Sequence, residues 1–173
     1  MKVVMYMAMT ANGIIARENG REDFLSDLNW KVFCNLARKK GCFVVGRKTY
    51  EIVRKLYKNY NFDDVKAERI IITSKKNFQP KGYLIANSPK NAIKKASSAG
   101  FKELLLSGGG KLNNSFIKSS LVDEIILNVE PVLLGKGVKL FGEDNFEKTL
   151  SLIRVKKLSK GIVQLHYKVR KGR

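Results

Sequence analysis

A three-layer α/β fold, with a mostly parallel central sheet and a C-terminal antiparallel hairpin, is predicted by three observations. Short apolar runs alternate along the chain with longer, helix-compatible polar segments. Two of those runs lead into glycine just before a helix-like segment, at Gly46 and at Gly108, Gly109 and Gly110. The last two apolar runs alternate in polarity and flank Ser159, Lys160 and Gly161, as the arms of a hairpin do. Such a pattern describes a sheet covered on both faces with an antiparallel edge.

The first strand is expected over residues 3–9. This run has no small-residue cleavage site after it and is far too short to span a bilayer. Residues 10–25 read as a long polar loop containing Gly13 and Gly20, with Glu18, Glu22 and Asp23 in solvent. Ser26 is placed to cap a helix over 27–39. Leu28, Val32, Phe33 and Leu36 form its apolar face, and Gly41 ends it. A buried strand at 42–45 passes through Gly46 into a helix at 48–56. Strands follow at 69–73 and 83–86, then a helix after Ser88 and Pro89. A strand at 103–107 meets the three glycines, a helix covers 111–119, a strand 124–129 and a turn region 131–137. The hairpin arms are expected at 150–158 and 162–169. With no internal repeat and no low-complexity linker, residues 1–173 read as a single domain.

Of the 173 residues 44% are hydrophobic, and nine Phe and six Tyr supply core volume, which excludes a disordered chain. Lys and Arg number 34 against 15 Asp and Glu, for a net charge of +19. Such a field attracts anions: a phosphorylated cofactor, an acidic substrate or nucleic acid. It is equally what a Lys-rich solvated surface produces. The basic residues are spread along the chain and are locally dense only over 156–173. No aromatic-interleaved basic strand and no recognition-helix pattern supports a nucleic-acid partner. Cys34, Cys42 and the single histidine, His166, are too few for a structural zinc site, and no metal is expected. The cysteines read as reduced core residues of a cytoplasmic protein. One histidine near the C-terminus also excludes a Ser-His-Asp or Cys-His constellation.

Ligands of open α/β sheets bind beyond the carboxyl ends of the strands, so the segments just after strands carry the candidate chemistry. In Val45-Gly46-Arg47-Lys48-Thr49 a tight turn delivers a helix N-terminus and two cations, a plausible phosphate site and also a common way to start a helix. Three consecutive glycines at 108–110, followed by Lys111, allow close approach of backbone to a flat or charged group, or simply a flexible turn. The pattern is neither GxGxxG nor a P-loop. Asp27 at a helix start is either a partner of the helix dipole or a carboxylate in an apolar cleft beside Phe24, Leu28 and Trp30.

Together these residues resemble the dihydrofolate-reductase-like superfamily across residues 3–169. Met7-Ala8-Met9 with Gly13-Ile14-Ile15-Ala16-Arg17-Glu18-Asn19-Gly20 resembles the first strand and mobile loop of dihydrofolate reductases. Ser26-Asp27-Leu28-Asn29-Trp30 resembles their acid-bearing helix, and Val45 to Glu51 their cofactor junction. Gly109-Gly110-Lys111-Leu112-Asn113-Asn114-Ser115-Phe116, Leu121-Val122-Asp123-Glu124-Ile125 and Pro131-Val132-Leu133-Leu134-Gly135-Lys136-Gly137 instead resemble the reductase domain of riboflavin biosynthesis.

The resemblance implies an NADPH-dependent reductase, in the first place a dihydrofolate reductase that makes tetrahydrofolate, with reduction of 5-amino-6-(5-phosphoribosylamino)uracil as the alternative on the C-terminal motifs. Its partner would be a small pterin or pyrimidine, and its state a monomer or homodimer. A nucleic-acid-binding protein on the same scaffold is the third reading, raised by charge alone. By the same resemblance Asp27 is the catalytic acid, and Ala8, Asp27, Leu28, Lys31, Thr49 and Ile52 bind substrate. Ala8, Ile15, Gly46, Arg47, Lys48, Thr49, Thr73, Ser74, Lys75, Gly108, Gly109, Gly110, Lys111 and Leu112 bind the cofactor. Thr49 would cap its helix, and the loop over 10–25 would close as a lid.

Overall fold

A computed structural model describes residues 1–57, 59–159 and 161–170. Lys160, expected in the hairpin turn, and the end of the basic segment, 171–173, lie outside the described residues. The strands are β1 (Lys2–Thr10), β2 (Ile14–Ala16), β3 (Cys42–Gly46), β4 (Glu68–Ile72), β5 (Leu84–Ala86), β6 (Glu103–Leu106), β7 (Glu124–Glu130), β8 (Val138–Lys139), β9 (Leu150–Lys157) and β10 (Val163–Val169). The helices are α1 (Asp27–Lys40), α2 (Arg47–Leu56), α3 (Pro89–Ser98) and α4 (Gly110–Lys118), with a 3-10 turn at Phe62–Asp64.

Eight strands form one sheet in the order β5-β4-β3-β6-β1-β7-β10-β9. Pairing is parallel from β5 to β7 and antiparallel at β10 and β9. The expected three-layer architecture and hairpin edge are the observed ones. Alternation along β1 sends Val3 and Met5 to one face and Val4 and Tyr6 to the other. The first face packs with Phe116 and Ile117 of α4 and Ala92 and Ala96 of α3. The second packs with Phe33 and Ala37 of α1 and Tyr50 and Val53 of α2. Phe43 and Phe116 are fully buried, and each contributes about 2–3 kcal/mol through the area it removes from water.

Three local expectations change. The polar loop over 10–25 contains β2, whose Ile14, Ile15 and Ala16 are all buried and which pairs with β8. A Cβ on Gly137 would lie 2.5 Å from the Ala16 carbonyl oxygen, so a glycine there is what lets the two strands approach. Ser26 occupies the N-cap of α1, but its side chain makes no capping bond. Its hydroxyl donates instead to Glu130 of β7 at 2.9 Å. Thr49 is likewise not a cap: Gly46 is the N-cap of α2, with no side-chain capping bond.

Candidate active site

The carboxyl ends of β1 and β6 open into a cleft whose space, counted out into the solvent at its mouth, is about 800 Å³. Met7 and Ala8 of β1 form its base, with Ser107, Gly108 and Gly109 beside them. The far wall is aromatic. Trp30 of α1 stacks on Tyr60 with ring centroids 5.1 Å apart, and Tyr60 stacks on Tyr57 at 5.7 Å. Phe33 and Phe62 close the bottom of that wall, 5.6 Å apart. Ile15 and Leu25 come from the loop that precedes α1. Glu22 also lines the cleft, the one acidic side chain among its described residues to do so.

The two glycine junctions that the sequence offers separately lie side by side. The Gly46 N–H donates to the Gly108 carbonyl at 3.0 Å, and the Gly109 N–H donates to the Thr49 hydroxyl at 2.9 Å. Gly108 has φ +76°, and a Cβ on it would lie 2.9 Å from the Met7 methyl carbon. On Gly110 a Cβ would lie 2.5 Å from the Lys139 carbonyl oxygen. Packing of the chain on itself therefore requires these glycines. Both α2 and α4 begin here without a side-chain cap. Their first-turn N–H groups and positive dipole ends are thus adjacent, an arrangement suited to an anion.

Of the residues expected from sequence, the cleft brings together Ala8, Ile15, Thr49, Gly108 and Gly109. Gly110, Lys111 and Leu112 start α4, with Lys111 exposed and Leu112 buried against Gly46. Lys48 is exposed, and Arg47 makes a two-pronged bond with Glu51 at 2.8 Å to each oxygen. Gly46 is the register partner of Ile72, so Thr73, Ser74 and Lys75 continue the neighbouring strand beside this junction. Thr73 is buried and accepts a bond from the Lys75 N–H, leaving Ser74 and Lys75 exposed. All of these lie at the carboxyl ends of β3, β4 and β6, apart from the aromatic cleft.

Asp27, Leu28, Lys31 and Ile52 do not line the cleft. Asp27 is exposed and accepts a hydrogen bond from the Tyr60 hydroxyl. The start of α1 is fixed by the sheet, and the Asp27 side chain leaves its helix on the solvent side. Burial and the Asp27 bond push the Tyr60 hydroxyl up to about 12, so it stays a neutral donor. Lys31 is exposed and Leu28 half-buried on α1. Ile52 faces the loop at Gly20, where a Cβ would meet its Cδ1 at 2.6 Å.

Two carboxylates outside the expected site residues shape the site: Glu130 anchors α1, and Glu22, expected in solvent, lines the cleft. Glu130, 4% exposed at the end of β7, accepts from the Ser26 N–H at 3.0 Å, the Ser26 hydroxyl at 2.9 Å and the Asn29 amide at 2.5 Å. Asn29 also accepts from Asn128, which bonds to Tyr6 and Gln164. This buried polar chain joins α1 to β1, β7 and β10 and sets where the cleft wall stands. Glu22 is half-buried, and burial pushes its carboxyl up to about 7. Its backbone N–H donates to the Tyr57 hydroxyl, which fastens the loop to the aromatic wall. Among the described residues no group of three or more His, Cys, Asp or Glu could hold a metal ion, and no helix is long and apolar enough to cross a membrane.

Comparison with known proteins gives the fold and the family. The RibD C-terminal domain profile matches residues 1–164. YwjB of Bacillus subtilis strain 168 is 30% identical over 170 residues, covering 96% of this chain and 97% of that protein. The structure of a riboflavin biosynthesis protein from Shewanella sp. PV-4, so described provisionally, superimposes with a TM-score of 0.83 at 22% identity, covering 99% and 100% of the two chains. A Thermotoga maritima diaminohydroxyphosphoribosylaminopyrimidine deaminase/5-amino-6-(5-phosphoribosylamino)uracil reductase gives 0.74 at 15% identity, covering 98% of this chain and 56% of that one. The fold is dihydrofolate-reductase-like, and the chain belongs to the RibD C-terminal domain family.

Proposed function

We propose that this protein is an NADPH-dependent reductase of a pyrimidine-bearing small molecule, with 5-amino-6-(5-phosphoribosylamino)uracil as the compound to test first. The observation that carries the reading is the family match over residues 1–164, on a chain whose cleft opens at the strand ends beside two uncapped helix starts. Dihydrofolate, which the N-terminal motifs favoured, is not supported. The matches belong to the riboflavin branch, and Asp27, the acid that reading needed in the cleft, stands outside it.

The residues at the strand ends fit the cofactor. The adjacent N-termini of α2 and α4 offer backbone N–H groups to a pyrophosphate. Arg47, Lys48, Ser74 and Lys75 are within the same strip and would hold a 2′-phosphate through charge-assisted bonds. When bound, NADPH supplies a hydride from its dihydronicotinamide ring. Thr49 keeps the glycine turn in place through the Gly109 N–H. Trp30, Tyr60 and Tyr57 give the cleft an aromatic wall for a heterocycle to pack against. Ile15 and Leu25 exclude water from the loop side.

The test is loss of NADPH absorbance with purified protein and 5-amino-6-(5-phosphoribosylamino)uracil, beside a parallel assay with dihydrofolate. Turnover of the uracil compound and not of dihydrofolate is expected. Turnover of dihydrofolate alone would overturn the substrate, and failure to bind NADPH would overturn the reading altogether.

A further inference from the structure

A reductase that adds hydride to a C=N carbon also needs a proton at the nitrogen. The residue expected to supply it, Asp27, is exposed and outside the cleft. Glu130 is buried, and its Oε1 is already engaged by three donors. The single histidine, His166, is on β10 and bonded to Glu124, away from the cleft. That leaves one carboxyl among the described cleft residues.

We propose that Glu22 is the proton donor of this active site, delivering its proton to the substrate nitrogen as hydride reaches the adjacent carbon. The inference rests on the reductase reading above and names its acid. Glu22 lines the same cleft as the glycine turn, Leu25, Tyr57 and the stacked Trp30–Tyr60 pair. Its backbone is held on both sides: the N–H donates to the Tyr57 hydroxyl, and the carbonyl accepts from the Leu25 N–H at 2.9 Å. Its carboxyl has no hydrogen-bond or ion-pair partner among the described residues.

The charged and titratable neighbours are already committed or exposed. From the loop, Arg17 is paired with Asp23 at 2.6 Å and Arg21 is exposed. From α1, Asp27 is bonded to Tyr60; from β7, Glu130 is bonded to Ser26 and Asn29. Tyr57, held neutral by burial, faces it from beyond α2. No cation therefore offsets the cost of ionising Glu22 in an apolar wall, and its carboxyl is protonated in part at neutral pH.

In the step, the hydride pair forms the new C–H bond and the C=N π pair moves to nitrogen, where it takes the Glu22 proton. The hydride would come from a bound dihydronicotinamide, leaving it as the nicotinamide pyridinium cation, whose charge balances that of the Glu22 carboxylate. The Glu22 carboxylate then recovers a proton from solvent through the open mouth of the cleft. In the ribosylamine substrate the C=N group is that of the ring-opened sugar.

Two measurements test this. The first needs no substrate: titration of the protein with ¹³C-labelled glutamate, with Glu22→Gln identifying the Glu22 signal. A midpoint near 7 is expected, and a midpoint in the ordinary carboxylate range overturns the proposal. The second is the pH profile of NADPH oxidation with the uracil compound. Wild-type kcat should fall above neutral pH, and Glu22→Gln should lose about 10²-fold in kcat with a flat profile. Its NADPH affinity, read by fluorescence, should be unchanged. Glu22→Asp keeps an acid one methylene further back, and should retain a pH-dependent but slower turnover. Wild-type rates in Glu22→Gln overturn the proposal. Should wild type oxidise NADPH with no pyrimidine, the substrate reading fails, while the titration still decides on Glu22.

Discussion

Replacing Glu130 is the perturbation that most directly tests how the cleft wall is held. One oxygen of this 4%-exposed carboxylate accepts the Ser26 N–H at 3.0 Å, the Ser26 hydroxyl at 2.9 Å and the Asn29 amide at 2.5 Å. In Glu130→Ala the Ser26 hydroxyl can rotate to another acceptor, but the backbone N–H cannot. The Asn29 amide keeps only longer contacts to Ser26, at 3.2 and 3.3 Å. Up to two buried donors lose their acceptor at about 1–3 kcal/mol each, and the vacated volume adds to the loss. The expected destabilisation is roughly 2–5 kcal/mol. Glu130→Gln keeps an oxygen in place and loses only the charge assistance, so it should cost about 1 kcal/mol. Urea unfolding followed by far-UV circular dichroism, at constant m, reads both. An Ala variant within about 0.5 kcal/mol of wild type, or a Gln variant as unstable as the Ala one, would refute the account of Glu130 as the anchor of α1.

Other outcomes follow from the same geometry. The Glu22 carboxyl is raised in the folded state from 4.5 to about 7, so the native protein holds this proton more tightly than the unfolded chain. The stability it contributes is fully present below pH 4.5 and is lost as pH rises through 7. The loss is about 3 kcal/mol at most, and Glu22→Gln should remove this part of the pH dependence of urea midpoints. Asp27→Asn should change kcat less than about threefold, because Asp27 is exposed and, among the described residues, bonds to Tyr60 alone; a loss near 10²-fold would restore it as the acid. Gly110→Ala should cost about 1–3 kcal/mol, since the added carbon meets the Lys139 backbone oxygen at 2.5 Å; a thermal melt reads it. Thr49→Val removes the acceptor of the Gly109 N–H and should cost about 1–2 kcal/mol while weakening NADPH binding, read by cofactor fluorescence.

The layered α/β fold and both glycine junctions were legible because their signals are local. Apolar alternation, helix-length polar segments and glycine at a strand end act within a few residues. The loop over 10–25 misled for the same reason. The Ile14–Ala16 strand is three residues long, and its partner, Val138–Lys139, is more than a hundred residues away. Nothing in its own composition announces a pairing that depends on Gly137. Ser26 likewise carries the signature of a cap, yet its hydroxyl finds a stronger acceptor in Glu130, also a hundred positions distant.

The sequence by itself determined the order of the helices and of the strands in the main sheet, and the family motifs, since both are written in near-neighbour spacing. Only the tertiary structure decided which carboxyl enters the cleft. Asp27 and Glu22 are five positions apart, and either could be buried or solvated on local evidence. Which of them is desolvated is set by where the sheet holds α1 and by the Tyr57 hydroxyl that draws the loop inward. Those contacts join segments remote in sequence, and the acidity of a side chain follows from such surroundings rather than from its neighbours along the chain.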